Sequence, residues 1–321
     1  MVTESMLEKW SGSVSVVTIG ATKEEGGTRS KVIKIGGQAT LPFLFPEGTI
    51  PYRPVIAFEI WDIAPSEWPQ ELTKSYADVL KDTLTWAEKC VKEYNAELLC
   101  LRLQGAHPDF GDKTADQETK LIQQLLKKVN VPLIILGCGD DTKDNQVLPA
   151  CCEAAKDERC LVGDAAQDNY KTLTAAVLAD GHNIIAESPI DINIAKQLNI
   201  LISDMGLPLE RIVINPTIGA LGYGLEYAYS IMERARLAAL AGDKTVASPF
   251  ICFVGQESWR AKEAKASQNE FPAWGSQSER GIIWEAITAT ALIQSGADIL
   301  VMRHPKAIEK VKKYIDELIK G

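Results

Sequence analysis

Residues 54–62 read PVIAFEIWD, a run of apolar side chains that begins after a proline and stops at an acid. The run itself, Val55–Trp61, is rich in aliphatic and aromatic residues without sustained alternation of apolar and polar side chains. Such runs are typical of strands that are buried on both faces, as in a parallel sheet. The stretch therefore predicts a buried strand whose carboxyl end is marked by Asp62.

The same pattern recurs along the chain, and a segment with helical spacing follows each run. Eight strands in alternation with helices predict an α/β fold, a closed (β/α)8 TIM barrel, whose active face lies where the strands end. The eight runs are Val55–Trp61, Leu98–Leu103, Pro132–Leu136, Cys160–Val162, Asn183–Ala186, Ile212–Ile214, Phe250–Val254 and Ile299–Met302. The polar residues that follow them include Asp62, Gln104, Asp140, Asp164, Glu187, Asn215, Gln256, Glu257, Arg303 and His304.

Residues 1–53 precede the barrel, which we assign to residues 54–321. Two β-rich runs, Val14–Ile19 and Lys31–Ile35, flank a glycine-containing turn and predict a β-hairpin with an extended lead-in. The bottom of a TIM barrel usually serves stability, so the favoured interpretation is a hairpin that plugs the bottom. A hairpin that reaches out to a partner protein is the alternative.

The composition excludes several classes of protein. The chain has 321 residues, of which 46% are apolar and 24% charged, as in an ordinary globular protein. A formal net charge of −9 without a basic stripe argues against nucleic-acid binding. No window is apolar for long enough to span a bilayer and residues 1–10 lack a signal-peptide core, so we expect a cytoplasmic protein. The seven cysteines agree with a reducing compartment.

One connection is much longer than the others. It runs from Gly255 to Ser278, whereas a βα loop commonly has about two to six residues. The next helix is expected to begin near Glu279. A segment with two tryptophans and a phenylalanine on the strand-end face predicts a lid or a docking surface. An insertion that packs on its own aromatic side chains is the alternative.

The chain lacks the residues that several reactions known from TIM barrels require. None of the eight runs contains the lysine of a Schiff-base aldolase. The three histidines are too few for a metallohydrolase barrel, and His182 precedes its strand. The cysteines lack the Cys-x-x-Cys spacing of iron–sulfur clusters, and strands seven and eight end without a glycine-rich phosphate turn. We therefore expect neither a metal nor a cluster in this chain.

The strand ends are left with residues that are polar and mostly neutral or acidic. Such residues suit a hydrogen-bonding heterocycle such as a pterin, or the amide side chains of a corrin. The alternative is that some only cap the following helices, as Asp and Asn do. For Asp140 and Asp164 both interpretations stay open, whereas a functional role is favoured for Asn215 because Pro216 stiffens its turn.

A series of motifs, taken in their order along the chain, resembles a known family. The chain is similar over essentially its whole length to the small subunits of corrinoid iron–sulfur proteins and to the related delta subunits of archaeal acetyl-CoA decarbonylase/synthase. Each motif alone is weak, and their order and coverage make the resemblance specific. The motifs are Gly36-Gly37 with Leu41-Pro42-Phe43, the spaced residues Pro51, Arg53, Pro54, Ile56, Ala57, Glu59 and Asp62, the stretches 259–264 and 271–275, Trp284-Glu285-Ala286, and the stretch 296–305.

The resemblance implies a non-catalytic subunit of a heterodimer. The large subunit would carry a [4Fe-4S] cluster and hold most of the cobamide, a corrinoid cofactor of the cobalamin type, whose upper face this barrel would meet. The assembly would carry a methyl group from a methyltetrahydrofolate methyltransferase to acetyl-CoA synthase/CO dehydrogenase. It would serve the reductive acetyl-CoA (Wood–Ljungdahl) pathway of anaerobic carbon dioxide fixation. A reductive activator completes the expected partners, which include neither nucleic acid nor a membrane.

Three hypotheses for the strand-end residues follow. In the first, no residue is catalytic and some face the corrin or the partner subunit. In the second, the chain is a pterin-dependent methyltransferase with its own site in the barrel mouth, where Asp62, Asp164 and Asn215 bind the pterin. In the third, it is a barrel lyase that uses Glu187 as a base. The corrin-facing candidates of the first hypothesis are Asn215, Gln256, Trp259, Trp274, Arg303 and His304.

Overall fold

The computed structural model describes residues 7–320 and confirms the predicted barrel. Parallel strands close into a ring, in which the last strand pairs with the first strand of the barrel. An antiparallel pair of strands precedes the ring. The strands are β1 Val16–Ile19, β2 Ile33–Gly36, β3 Val55–Trp61, β4 Leu98–Arg102, β5 Leu133–Leu136, β6 Leu161–Ala165, β7 Asn183–Glu187, β8 Ile212–Asn215, β9 Phe250–Cys252 and β10 Ala297–Met302.

Helices cover the outside of the ring. Side chains of Asp82 and Asp191 accept hydrogen bonds from the first backbone N–H groups of the helices that follow them, as the capping rule predicts. No helix within residues 7–320 has both the length and the apolar character needed to cross a bilayer. The helices are α1 Gln70–Thr73, α2 Thr83–Lys92, α3 Ala115–Lys128, α4 Asp141–Ala154, α5 Tyr170–Asp180, α6 Ile192–Asp204, α7 Leu225–Leu240, α8 Val254–Arg260, α9 Lys262–Lys265, α10 Gln277–Gln294 and α11 Pro305–Lys320.

Three strands extend beyond the carboxyl ends of their predicted apolar runs. Strand β6 reaches Ala165 and so includes Asp164, while Glu187 and Asn215 are the last residues of β7 and β8. These polar residues were expected to follow their strands, and that expectation is wrong. The backbone ladder continues past the last apolar side chain because a polar side chain can face the open end of the barrel without leaving the sheet.

The N-terminal hairpin closes the bottom of the barrel, which confirms the favoured interpretation. In the antiparallel pair, Val17 lies opposite Ile35 and Ile19 opposite Ile33. These four side chains are buried and share one core cluster with the inward-facing residues of the barrel. The first barrel strand begins at Val55, next to the predicted boundary. The division into domains 1–53 and 54–321 stays a prediction, of which residues 1–6 and 321 lie outside the described part.

The long connection after β9 is organised by its own contacts. Strand β9 ends earlier than predicted, because Val254 already begins α8. The rings of Phe271 and Trp274 stack with their centroids 4.1 Å apart, and Lys262 lies over the Phe271 ring at 4.5 Å. Helix α10 begins at Gln277, close to the predicted start. The alternative of a self-packed insertion therefore describes this segment, and its use as a lid or docking surface stays a prediction.

Candidate functional site

The side chains that point into the barrel change from aliphatic to polar near the strand ends. Side chains of a strand alternate between the two faces, so the position two residues after an inward-facing one also faces inward. On β3, Glu59 follows Ala57 in this way, and on β4 Arg102 follows Cys100. The resulting polar layer at the barrel mouth contains Glu59, Arg102, Glu187, Asn215 and Arg303.

A buried carboxylate holds two arginines at one side of the mouth. Glu59 accepts hydrogen bonds from Nε and Nη2 of Arg303, each at 2.8 Å, from Nε of Arg102 at 3.2 Å, and from Nε1 of Trp61 at 2.8 Å. Burial opposes ionisation of Glu59, but the charges of Arg303 and then Arg102 outweigh it and lower the pKa to about 2. Glu59 is therefore ionised at neutral pH, and two guanidinium groups share its single charge.

These arginines border the larger of two adjoining mouth cavities, which measures about 720 Å³. Gln104 also borders it, and Glu67 is an acidic side chain of its lining. The cationic side chains of this cavity form what we call the basic half of the mouth. The basic half is defined by Arg102, Arg260, Lys265 and Arg303.

The second cavity measures about 260 Å³ and meets the first at Arg102 and Gln256, which border both. Nη2 of Arg102 donates to the side-chain oxygen of Gln256 at 2.8 Å, so these two side chains form the ridge between the cavities. The carboxyl groups of the smaller cavity form what we call the acidic half. The acidic half is defined by Asp141, Asp144, Asp164, Glu187 and Glu257.

The acidic half contains a carboxyl group that keeps its proton. Burial, and then the charge of Glu187, raises the pKa of Asp164 to about 8, although Arg102 and the amide of Asn215 act in the opposite direction. Burial, and then the charge of Asp141, raises the pKa of Glu187 as well. Oδ1 of Asp164 makes no hydrogen bond to any residue within 7–320. At neutral pH, Asp164 can therefore both donate and accept a hydrogen bond in the cavity.

Three of the predicted cofactor-binding residues, Asn215, Gln256 and Arg303, come together at the mouth. Asn215 is 4% exposed and accepts a hydrogen bond from the backbone N–H of Thr217 at 3.0 Å. This bond fixes the amide at the wall of the smaller cavity. Gln256 donates to Glu257 at 3.0 Å. The contact of these side chains with a cofactor stays a prediction.

His304 was predicted to join them, and the structure places it elsewhere. Its ring borders a separate cavity of about 370 Å³, where Nδ1 accepts from the backbone N–H of Lys306 and Nε2 lies 3.2 Å from Oγ of Ser75. Burial, and then the charge of Lys306, lowers the pKa of His304 to about 4. His304 and Arg303 are consecutive in an extended segment, so their side chains point in opposite directions.

Trp259 supports the mouth from behind. It is 1% exposed, and its Nε1 donates to Glu285 at 2.8 Å. The other carboxylate oxygen of Glu285 accepts the backbone N–H of Arg303 at 2.6 Å, so the pair fixes the end of β10. The absence of a side chain at Gly281 makes room for the ring, since a Cβ there would lie 2.5 Å from it. Trp259 also borders the larger cavity, and its contact with a cofactor stays a prediction.

Trp274 lies on the outer segment of the long connection. It is 38% exposed, stacks on Phe271, and lies under the guanidinium of Arg280 at 5.3 Å. Within residues 7–320 it borders neither mouth cavity. The structure therefore does not place Trp274 with the other predicted residues, because the segment that carries it packs outward on its own side chains.

Two aspartates at strand ends have structural partners. Oδ1 of Asp62 accepts the backbone N–H of Gly105 and Oδ2 accepts Lys113, both at 2.8 Å, which ties it to the loop after β4 and apart from the cavities. Asp140 caps α4, as one of its two open interpretations predicts. The cap of α5 is Asn169, so capping does not explain Asp164.

The thiol groups are not nucleophiles in this structure. All seven cysteines are buried and unpaired. Burial raises the pKa of Cys138, which borders the larger cavity, to about 12, so this thiol is protonated at neutral pH. Within residues 7–320, no three His, Cys, Asp or Glu side chains are grouped so that they could hold a metal ion.

Two side chains of the polar layer were missed by the sequence-based site prediction. Glu59 and Arg102 lie within apolar runs and were assigned no role. The available signal was a charged residue at an inward-facing position of an otherwise apolar strand, because such a charge must find a partner inside the barrel.

The family of the chain can be stated from its similarity to known proteins. The model of the CO dehydrogenase/acetyl-CoA synthase delta subunit family matches residues 16–313. The chain belongs to this delta-subunit family. Acetyl-CoA decarbonylase/synthase complex subunit delta of Methanocaldococcus jannaschii is 36% identical over 311 residues, which are 97% of this chain and 75% of that protein. The subunit delta of Methanothermobacter thermautotrophicus is 36% identical over 320 residues, 96% of this chain and 76% of that protein.

The delta-subunit fold is also found in solved structures of dihydropteroate synthases. The enzyme of Coxiella burnetii in complex with pteroic acid aligns with a TM-score of 0.56 at 11% identity, over 94% of this chain and 99% of that chain. The enzyme of Xanthomonas albilineans in complex with 7,8-dihydropteroate gives 0.55 at 12% identity, over 88% and 99%. At such low identity, these similarities show the fold alone.

Proposed function

We propose that this chain is the small, non-catalytic subunit of a cytoplasmic, heterodimeric corrinoid iron–sulfur protein. In this proposal it shelters a cobamide that the large subunit holds, together with the [4Fe-4S] cluster. The heterodimer carries methyl groups between a methyltetrahydrofolate methyltransferase and acetyl-CoA synthase/CO dehydrogenase in the anaerobic reductive acetyl-CoA pathway, and a reductive activator restores it. The observation that carries the proposal is membership of the delta-subunit family over residues 16–313.

The side chains of the mouth fit the periphery of a corrin. A corrin ring carries neutral carboxamide side chains, which need both donors and acceptors. The amides of Gln256 and Asn215 and the protonated carboxyl of Asp164 supply both at the borders of the two cavities. The thiol of Cys138 is protonated and the ring of His304 points away from the mouth into a separate cavity, so neither competes for the cobalt.

The cofactor would supply the methyl-binding cobalt, and the protein would supply binding and exclusion of water. Phe253 and Trp61 contribute apolar surface to the mouth, and both are buried at 5% exposure or less. Glu59 holds Arg102 and Arg303 rigidly beside this surface. A partner that covers the open cavities would complete a dry site without any acid or base from this chain.

Anaerobic co-purification tests the proposal. The chain is expressed with and without the large corrinoid-carrying subunit, and cobamide absorbance is read across a size-exclusion column. We expect a one-to-one complex that carries the corrinoid, and a colourless lone chain. Failure of the chain to bind the large subunit would contradict the proposal.

A pterin-dependent methyltransferase is the second candidate. The acidic half favours it, because the neutral carboxyl of Asp164 and the amide of Asn215 face one cavity of about 260 Å³, suited to a polar heterocycle. The dihydropteroate synthases with the same fold were solved with pteroic acid or dihydropteroate. Titration of the lone chain with methyltetrahydrofolate distinguishes the candidates. Saturable binding that Asp164→Asn weakens would favour the methyltransferase, and no binding would favour the carrier subunit.

A further inference from the structure

The basic half has more positive charge than its internal partner neutralises. Arg102 and Arg303 both bind Glu59, which is 0% exposed and carries one negative charge. A pair of guanidinium groups against one carboxylate leaves one positive charge in excess. Because the side chains of these arginines are only 12% and 6% exposed, solvent screens this charge poorly.

Both arginines also keep unused hydrogen-bond donors. Arg303 uses Nε and Nη2 on Glu59, and Arg102 uses Nε on Glu59 and Nη2 on Gln256. The Nη1 nitrogen of each makes no hydrogen bond to any residue between 7 and 320. Both side chains border the same cavity of about 720 Å³, so these donors belong to one site.

The donors are held in place before any ligand arrives. Both guanidinium groups contact the same oxygen of Glu59, which keeps them adjacent. The face of Arg303 lies 4.7 Å from the ring of Trp68 and 5.6 Å from that of Trp61, which fixes its plane. Guanidinium groups fixed in this way hold their free Nη1 donors ready for the oxygens of one carboxylate or phosphate group, with which an arginine makes charge-assisted hydrogen bonds.

The rim of the cavity adds positive charge. Lys265 is exposed and makes no ion pair within the described residues, and Arg260 pairs with Glu257 at 3.2 Å. Glu67 is the single acidic side chain that borders the cavity among residues 7–320. In a chain with a net charge of −9, this is a local field that attracts anions.

We propose that the basic half is an oxyanion-binding site, in which Arg102 and Arg303 bind the carboxylate or phosphate group of a small ligand. Glu59 positions both arginines without touching the ligand, and Lys265 raises the local anion concentration. The site does not depend on the corrinoid role, since its donors are present in the chain alone.

Calorimetric titration of the chain, followed in parallel by tryptophan fluorescence, tests this site. The probes are sodium phosphate and sodium acetate, each at constant ionic strength adjusted with sodium chloride. We expect saturable one-to-one binding of at least one probe. Tighter binding of phosphate would assign a phosphate-bearing ligand, and tighter binding of acetate would assign a carboxylate-bearing one.

Arg102→Met is the decisive variant, because Glu59 keeps Arg303 as its partner and the fold should survive. Loss of a charge-assisted contact should weaken binding by about tenfold or more. Arg234→Met removes the same charge from the exposed face of α7 and should leave binding unchanged. If Arg102→Met fails to fold, Lys265→Met provides the test, with an expected weakening of roughly two- to fivefold, typical of an exposed charge.

Two results would overturn the proposal. The first is no saturable signal from either anion with the parent protein at millimolar concentrations. The second is an equal loss of anion affinity in Arg234→Met and in the mouth variants. Such a result would show that anion binding depends only on the overall charge of the chain.

Discussion

The basic and acidic halves lie at the same end of the same barrel, yet they carry charge in opposite ways. In the basic half, Glu59 is paired with two arginines and its pKa is lowered to about 2. In the acidic half, Asp164 has Glu187 as its neighbour and its pKa is raised to about 8. Burial raises the pKa of both carboxyl groups, so burial is not the difference. The difference is the charge of the neighbouring side chains. Arg303 and Arg102 keep Glu59 ionised, whereas Glu187 beside Asp164 favours the protonated carboxyl, which can titrate.

The largest expected effect comes from removing the fixed charge. Glu59→Gln leaves two buried guanidinium groups without their shared anion. Removing one partner of a buried ion pair, while the other stays buried, should lower the free energy of unfolding by about 3–5 kcal/mol. Urea unfolding at neutral pH measures this loss.

An exposed ion pair provides the control for Glu59→Gln. Glu309 pairs with Lys313 at 2.7 Å, and their side chains are 66% and 72% exposed. Glu309→Gln should leave the free energy of unfolding close to that of the parent protein, because an exposed ion pair contributes little. Equal effects of the two substitutions would show that the basic half is no more rigid than the surface.

The acidic half should make stability depend on pH. The pKa of Asp164 is about 8 in the folded state and close to 3.8 when the chain unfolds, so the folded state holds the extra proton between these values. This contribution is complete below the unfolded pKa and is lost as the pH rises through 8. Replacement by Asn removes it, so the stability of Asp164→Asn should fall less steeply over that range, by up to about 1.4 kcal/mol per pH unit.

Urea unfolding at several pH values between 4 and 9 measures the two slopes. Asp116→Asn, in the exposed first turn of α3, is the matched control and should follow the parent protein. Parallel profiles for the parent and Asp164→Asn would mean that Asp164 is ionised in the folded state, and the contrast between the halves would disappear.

Asn215→Ala should sharpen the same comparison with a smaller effect. The amide of Asn215 lowers the pKa of Asp164, so its removal should raise that pKa further and move the midpoint of the pH profile upward. Loss of the hydrogen bond to Thr217 should also cost about 1 kcal/mol. A midpoint that moves downward would contradict the assigned role of Asn215.

The smallest expected effect lies at the rim of the basic half. Arg260 is 66% exposed and pairs with Glu257. Arg260→Met should change the free energy of unfolding by less than about 1 kcal/mol, because an exposed pair contributes little. A cost near that of Glu59→Gln would show that the rim, and not the buried cluster, holds the basic half together.

The sequence predicted the fold more completely than the site. Apolar runs locate all eight barrel strands because burial on both faces leaves a strong pattern. The pattern says less about where a strand ends, since Glu187 and Asn215 continue their ladders as polar residues. The hairpin was predicted from two β-rich runs around a glycine-containing turn, and the side chains that it buries in the barrel are aliphatic.

Predicting the site required the direction of each side chain, which the spacing of residues in the sequence does not provide. Arg303 and His304 were grouped because they are neighbours in sequence, and the alternation of side chains along an extended backbone separates them. Glu59 and Arg102 were assigned no role because they interrupt apolar runs. Their pairing depends on the register of β3 and β4, which a single sequence does not reveal.

Hydrogen–deuterium exchange of the heterodimer tests the central claim, that a corrinoid-carrying partner covers the barrel mouth. Exchange is compared for the lone chain and the complex with the cobamide-loaded large subunit. We predict slower exchange in the complex for residues 254–276 and for the loop after β8, and no change in the hairpin turn at residues 20–32. Protection of the hairpin turn with an unchanged mouth, in a complex that carries the cobamide, would contradict the account.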